Sequence, residues 1–316
     1  GKLGSDIIRR DALAFSPFTY RYHPQIRQRH AMLFSEPYRF AKVGEPSSDW
    51  TRYQRVQLDS LYAPVQGHGF GDWWNRFHDV HPEYFALQPD GTRSGFPKPN
   101  NAKLCTSTPM VWQQWLADVA AKAEKHPFRQ VFSAAANDGY TSGHCICPDC
   151  RSWDHPEAEL KTFRWEGVAQ QYVALSDRQV TFANQLGRLL KKRFPDKPYA
   201  VCILAYGNSR PPPVEAVPQD NVLMGLVFNF YQRNIPGQKD YYLAWTEIVD
   251  SHVWRPNIGN PARWKQGGPG DITRAVKTFR LIGNKGCIGI TMDNVWSYWI
   301  TQGPLYYLMA QLAWNP

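Results

Sequence analysis

Gln130-Val131-Phe132-Ser133-Ala134-Ala135-Ala136-Asn137-Asp138-Gly139 is a short apolar run that ends in a polar turn. Its length and its bounding residues predict a buried strand over residues 130–136. An Asn-Asp pair at the carboxyl end of a buried strand stands where α/β barrels keep their chemistry. The next stretch, Gly143-His144-Cys145-Ile146-Cys147-Pro148-Asp149-Cys150, sets three cysteines within six residues. One segment therefore supplies an acid, an amide and a clamp able to hold both.

Outward from this segment, strands and helices alternate. Residues 103–107 read as a strand, and Thr108-Pro109 then opens a helix to about residue 125, with Thr108 as N-cap and Pro109 at the first position. Ser176 caps a helix to about residue 193, with Val180, Ala183, Leu186 and Leu190 on one face. Strands are predicted over 199–205, 222–228, 252–254 and 286–292. Helices are predicted over 241–251, 271–282 and 304–314. This order predicts parallel strands joined by right-handed crossovers. The expected fold class is α/β, a (β/α)8 TIM-like barrel, either incomplete or carrying an irregular N-terminal segment. Residues 1–62, rich in Arg, Tyr, Phe and Pro, form that segment and the first barrel elements, and residues 63–316 form the barrel domain. An open doubly wound sheet is the alternative, weakened because no Gly-rich phosphate loop follows any strand.

The 43% hydrophobic content is that of a globular chain, and no run of about 18 apolar residues marks a membrane span. The start, Gly1-Lys2-Leu3-Gly4-Ser5, lacks an apolar signal core, so any signal peptide is expected to be absent or already removed. The net charge of +9 fits a soluble basic protein or attraction to a polyanion such as an acidic glycan. The basic residues are scattered and no nucleic-acid motif is visible, so no nucleic-acid partner is expected. Thirteen Trp residues call either for a large core or for a site where sugar rings stack on indoles.

Six cysteines in a chain this long do not make a disulfide scaffold. Cys105, Cys202 and Cys287 lie in apolar runs and read as buried small hydrophobes. Cys145, Cys147 and Cys150 offer three soft ligands. Zn²⁺ takes four, so His144 or His155 would complete a structural site, and we assign the place to His155. Three reduced thiols, or one disulfide and a free thiol, are the alternative.

Asp138, flanked by Asn137, Gly139 and Tyr140, is either an acid of raised pKa, a hydroxyl-binding carboxylate or a turn residue bonding its own backbone. Glycoside hydrolysis needs a second acid. The best partner is Asp293 in Ile290-Thr291-Met292-Asp293-Asn294, again at a strand end and leading into Trp296, Tyr298 and Trp299. In a barrel both strand ends open on one face, so the two acids would converge. Glu166 and Asp177 are weaker candidates, Asp177 being also a helix-dipole acid. His68, between two glycines, is placed to bind a sugar hydroxyl or polarise a leaving group. Tyr206 and Asn229 follow predicted strands and would line the same mouth. No Gly-x-Ser-x-Gly elbow, P-loop or His-Glu-x-x-His is present.

Gly67-His68-Gly69-Phe70, His81-Pro82-Glu83-Tyr84-Phe85-Ala86-Leu87, Leu104-Cys105-Thr106-Ser107, Asn137-Asp138-Gly139 with the three cysteines, Ala205-Tyr206-Gly207 before Pro211-Pro212, and Leu312-Ala313-Trp314-Asn315-Pro316 follow in order. In this series the chain resembles the family named domain of unknown function 4838. The resemblance implies a TIM-barrel glycoside hydrolase group that overlaps glycoside hydrolase family 163, whose members include endo-β-N-acetylglucosaminidases. It also implies a secreted bacterial protein with an α/β domain ahead of the barrel; that domain is expected to be missing here, the chain being a trimmed or partial form. One departure is plain. Hexosaminidases that use the substrate's acetamide carry an adjacent Asp-Glu pair, and no Asp-Glu dipeptide occurs in this sequence.

The expectation is a secreted or periplasmic glycoside hydrolase acting on a complex or acidic glycan, endo-β-N-acetylglucosaminidase-like. Asp138 and Asp293 would be catalytic. His68, Asn137, Tyr140, Tyr206, Asn229, Trp296 and Trp299 would bind substrate. Catalysis would need no cofactor, beside a structural zinc on Cys145, Cys147, Cys150 and His155. A non-catalytic carbohydrate-binding barrel and a metal-dependent hydrolase or polyanion binder are the alternatives. The sequence sets no oligomeric state.

Overall fold

A computed structural model describes residues 26–33, 67–139, 141–230, 237–256, 272–295 and 299–316, with side chains left undescribed at 28, 30–33, 292–295, 299–303 and 306. In chain order the elements are β1 (Gln28–Leu33), α1 (Trp73–Phe77), α2 (Pro109–Lys125), β2 (Val131–Ser133), α3 (Pro148–Arg151), β3 (Leu160–Trp165), β4 (Val168–Val173), α4 (Ser176–Arg193), β5 (Ala200–Ala205), β6 (Val222–Leu226), α5 (Gln238–Thr246), β7 (His252–Trp254), α6 (Ile272–Asn284), β8 (Cys287–Val295) and α7 (Trp299–Trp314). The fold is mixed α/β, with parallel strands and intervening helices. The chain divides into two units: residues 60–228 with 237–253, and residues 1–59 with 229–236 and 254–316.

In the larger unit the strand order is β2-β5-β6-β7, the order of the chain itself. β2 pairs in parallel with β5, and β5 with β6. All of β6 and nearly all of β5 are buried, as expected of parallel strands covered on both faces. α2 opens with Pro109, whose missing N–H is no loss in the first turn. Its buried residues, Val111, Trp115, Val119 and Ala123, recur every four positions and form one apolar stripe. Burying a side chain such as Val111 stabilises by about 1.5–3 kcal/mol. α4 buries the expected face of Val180, Ala183, Leu186 and Leu190.

Two local expectations change, and one element is new. Ser176 is not the cap of α4 but its first residue; Leu175 precedes it, and the Ser176 hydroxyl donates to Pro211 O at 2.5 Å. The strand expected over 103–107 is a single antiparallel bridge, Phe85 to Leu104, because the chain turns at once into α2. Residues 160–173 form an antiparallel hairpin, β3 with β4, turning on Glu166 (φ 51°) and Gly167 (φ 84°). Two consecutive positive φ angles are what a tight two-residue hairpin loop requires. Exposed Glu166 is thus a turn residue.

In the smaller unit β1 pairs in parallel with β8, from Gln28 opposite Gly289 to Ala31 opposite Met292. α6 buries Ala275, Thr278, Phe279 and Ile282 on one face, and Trp254 meets Phe279 edge-on at 5.7 Å.

Candidate functional site

The chain beyond β2 stays extended and collects neighbours. Ala134 N donates to Cys202 O at 2.8 Å, and Gly69 N donates to Ala135 O at 2.9 Å. Residues 67–70 therefore run against the end of β2. Only glycine permits this approach at position 69, since a Cβ there would lie 2.7 Å from Ser133 O. His68 Nδ1 lies 2.6 Å from Ala136 O. A carbonyl only accepts, so Nδ1 carries the proton in this contact, and Nε2 is the ring's other polar atom.

Asn137 follows. It is 5% exposed, and its Nδ2 donates to Phe70 O and Ala102 O, both at 3.0 Å. Both amide protons are thereby used to tie three segments together. Lys103, 3% exposed, donates from Nζ to the carbonyls of Asn137 and Asp138. Burial pushes its ammonium down to about 8, while the charge of Asp138 acts in the opposite direction. The Asp138 residue itself is exposed. Gly139 turns the chain with φ 78°, where a Cβ would meet the Pro97 ring at 2.9 Å.

Opposite this turn stands the end of β5. Tyr206 leads into a single helical turn, and the Ser209 hydroxyl bonds back to Leu204 O and Tyr206 O, both at 3.1 Å. His68, Asn137, Asp138, His144, Tyr206 and Asn208 line one cleft in the larger unit, with about 440 Å³ of empty space including its open side. Three of its buried polar atoms lack a hydrogen-bond partner among the described residues: Asn137 Oδ1, His144 Nδ1 and Asn208 Nδ2. Buried polar groups are nearly always paired, so an unpartnered acceptor, imidazole nitrogen and donor on residues that line one cleft suit a polar ligand rich in hydroxyls. The His144 ring meets Phe163 edge-on at 5.5 Å. Burial, reinforced by the charges of Lys103 and Arg178, holds it well below the usual imidazole range.

Four of the sequence-predicted residues, His68, Asn137, Asp138 and Tyr206, thus come together. Asn229 is buried and belongs to the smaller unit. Asp293 lies in β8 and Trp299 begins α7, with their side chains outside the described residues, as are Tyr140 and Trp296 entirely. Asp177 takes a structural role: its carboxylate accepts from the amides of Val214, Glu215 and Ala216 at 2.9–3.0 Å and so anchors the loop after Pro211.

Next to the cleft the loop that carries the cysteines is tied down. Arg178 Nε donates to Asp154 Oδ1 at 2.7 Å and Nη2 to Asp154 Oδ2, both side chains being 3% exposed, while Nη1 donates to Cys145 O at 2.8 Å. Tyr172 adds a bond from its hydroxyl to Asp154 at 2.7 Å, and Trp165 Nε1 donates to His144 O at 2.8 Å. The sulfurs of Cys105, Cys145, Cys147 and Cys150 all lie within 4.8 Å of one another, and all four residues are buried. None is in a disulfide. His155 is not in this cluster. It is half-buried, and its Nδ1 accepts from Glu157 N at 3.2 Å. His144 is also outside it. The sulfur that joins the three loop cysteines is thus that of Cys105 and not a nitrogen of His155; apolar surroundings disguise Cys105 as a core residue. Lys103 and Asn208 were missed for the same reason: nothing local marks them. Counting ligands calls for a fourth, but among the nearby residues it points to a histidine of the same loop and not to a cysteine 40 positions upstream.

No curated protein and no solved structure matches this chain. Residues 16–316 match the family described as Domain of unknown function (DUF4838), and the chain belongs to that family.

Proposed function

We propose that this protein is a glycoside hydrolase and that the cleft around Asp138 is its sugar site. The observation that carries the reading is the gathering of His68, Asn137, Asp138 and Tyr206 around one cleft, together with three unpartnered buried polar atoms on the residues that line it. A sugar presents hydroxyls on a ring, each able to donate and accept. Asn137 Oδ1 would accept from one, Asn208 Nδ2 would donate to another, and His68 Nε2 would accept from a third. The Tyr206 ring offers an apolar face. Asp138, held by Lys103 through its backbone, would present its carboxylate to the glycosidic oxygen or to a neighbouring hydroxyl. Asp293, within β8, is the proposed second acid.

The fold we propose beneath this site is a (β/α)8 barrel. Two features support it, each within its own unit. The strands β2, β5, β6 and β7 succeed one another without reversal. The first described strand, β1, pairs in parallel with the last, β8, as ring closure demands. The charge of +9 favours an acidic glycan. The lack of an Asp-Glu dipeptide argues against cleavage assisted by the substrate's acetamide.

A second reading, carbohydrate binding without turnover, is favoured by one fact: Asp138 is the sole carboxylate among the described residues lining the cleft. A panel of neutral and acidic glycans offered to the wild type and to Asp138→Asn separates the readings. Turnover by the wild type, reduced about 10²–10⁴-fold in the variant, is the expected result for a lost proton donor or acceptor. Equal turnover removes Asp138 from the chemistry. Binding with no turnover gives the second reading. Neither binding nor turnover across the panel overturns both.

A further inference from the structure

We propose that Cys105, Cys145, Cys147 and Cys150 form a tetrathiolate site for one zinc ion, which fastens the loop behind the cleft. The site stands independently of what the cleft binds. A zinc–sulfur bond of about 2.3 Å gives a tetrahedron whose sulfurs are about 3.8 Å apart. Cys105 Sγ lies 3.6 Å from Cys147 Sγ and 3.8 Å from Cys150 Sγ. A disulfide needs sulfurs at about 2.05 Å, so these separations suit ligation rather than oxidation. Four sulfurs within 4.8 Å of one another leave room for one ion and none for an iron–sulfur cluster.

The surroundings are those of thiolates. Cys147 caps α3, and its sulfur accepts from Cys150 N at 3.4 Å. Cys145 Sγ accepts from Leu87 N at 3.3 Å. Four thiolates around a divalent ion leave two negative charges, and two guanidiniums stand by to offset them. Arg93 interacts electrostatically with Cys105, Cys145 and Cys147, and Arg178 with Cys150. The ligands come from two places in the chain: three from one loop, and Cys105 from the segment just before α2. Bridging Cys105 to Cys145 closes a loop of 39 intervening residues that contains the Asn137-Asp138 turn, with Lys103 two residues outside it beside Cys105. The metal therefore holds the two sides of the Lys103 bonds in register. Its role is to position, with all four coordination places taken by protein and none left open for chemistry.

The test is elemental analysis of the intact protein, purified under reducing conditions. About one zinc per chain is expected for a filled tetrathiolate site. Cys105→Ser and Cys150→Ser should lose it, while Cys202→Ser, a buried cysteine outside the cluster, and His155→Ala should retain it. Should the cysteine variants fail to fold, the wild type still decides. Exchange of its metal for Co²⁺ should bring the sulfur-to-cobalt charge-transfer and visible ligand-field bands of tetrahedral thiolate coordination. Iron in place of zinc would overturn the identity of the ion. Absence of any metal together with no cobalt spectrum, or zinc lost in His155→Ala and kept in Cys105→Ser, would overturn the site.

Discussion

The two ends of the segment from Asn137 to Cys150 obey opposite rules. At the Asn137-Asp138 end the backbone is over-determined, yet residues lining the cleft keep buried side-chain atoms with no partner among the described residues. At the cysteine end the sulfurs of Cys145 and Cys147 accept amide protons, and Asp154 takes both arms of Arg178. The difference teaches where the stability and the function of this fold reside. Unpaired polar groups cost free energy and persist where a ligand makes use of them. The clamped neighbouring region supplies the stiffness that keeps them in place.

The largest test of that contrast falls on the stiff end. Arg178 and Asp154 form a buried bidentate pair, and removing one partner leaves an uncompensated charge. Arg178→Met is expected to cost about 3–5 kcal/mol in urea unfolding. The double variant Arg178→Met/Asp154→Leu should recover much of that loss. A cost for the single variant below about 1 kcal/mol, the level of an exposed pair, would mean the loop is not clamped there.

The cleft end should answer differently at two adjacent residues. Asn137→Ala removes two bonds to buried carbonyls, Phe70 O and Ala102 O, and should destabilise by about 2–4 kcal/mol. Asp138→Asn changes an exposed carboxylate whose backbone alone is held, so its stability should stay within about 0.5 kcal/mol of wild type while sugar binding or turnover falls. Equal destabilisation by both would erase the distinction between a residue that builds the cleft and one that serves it.

Much of this architecture is legible from sequence because it rests on short-range patterns. The stripe of α4 and the apolar runs of β5 and β6 announce themselves by period. Asp138, His68 and Tyr206 announce themselves by standing after such runs. The hairpin of β3 and β4 escapes because its turn is Glu166-Gly167 rather than Asn-Gly, and a Glu at positive φ is rarely chosen. Lys103 and Cys105 escape for another reason. Each looks like part of a buried strand, and each finds its partner 34 to 45 residues further on. Contacts of that span are settled by the packing of whole elements, which no local window contains. Asn137 shows the limit from the other side: a position at a strand end suggests sugar binding, while its amide protons are spent on the scaffold.

The smallest expected effect sharpens the contrast through pH. Tyr172 donates to Asp154 inside the clamp, and its phenol is pushed up to about 12, first by burial and then by the hydrogen bond and charge of Asp154. In the unfolded chain a tyrosine ionises near pH 10. The folded state therefore keeps its proton where the unfolded state releases it. The stabilisation is present in full below pH 10 and is lost as pH rises from 10 toward 12. Because Tyr172 is only half-buried, screening reduces the effect to about 1–2 kcal/mol. Unfolding measured from pH 8 upward should show this alkaline loss in the wild type and a shallower one in Tyr172→Phe. An identical slope in both would place Tyr172 outside the group of residues that hold the cysteine loop.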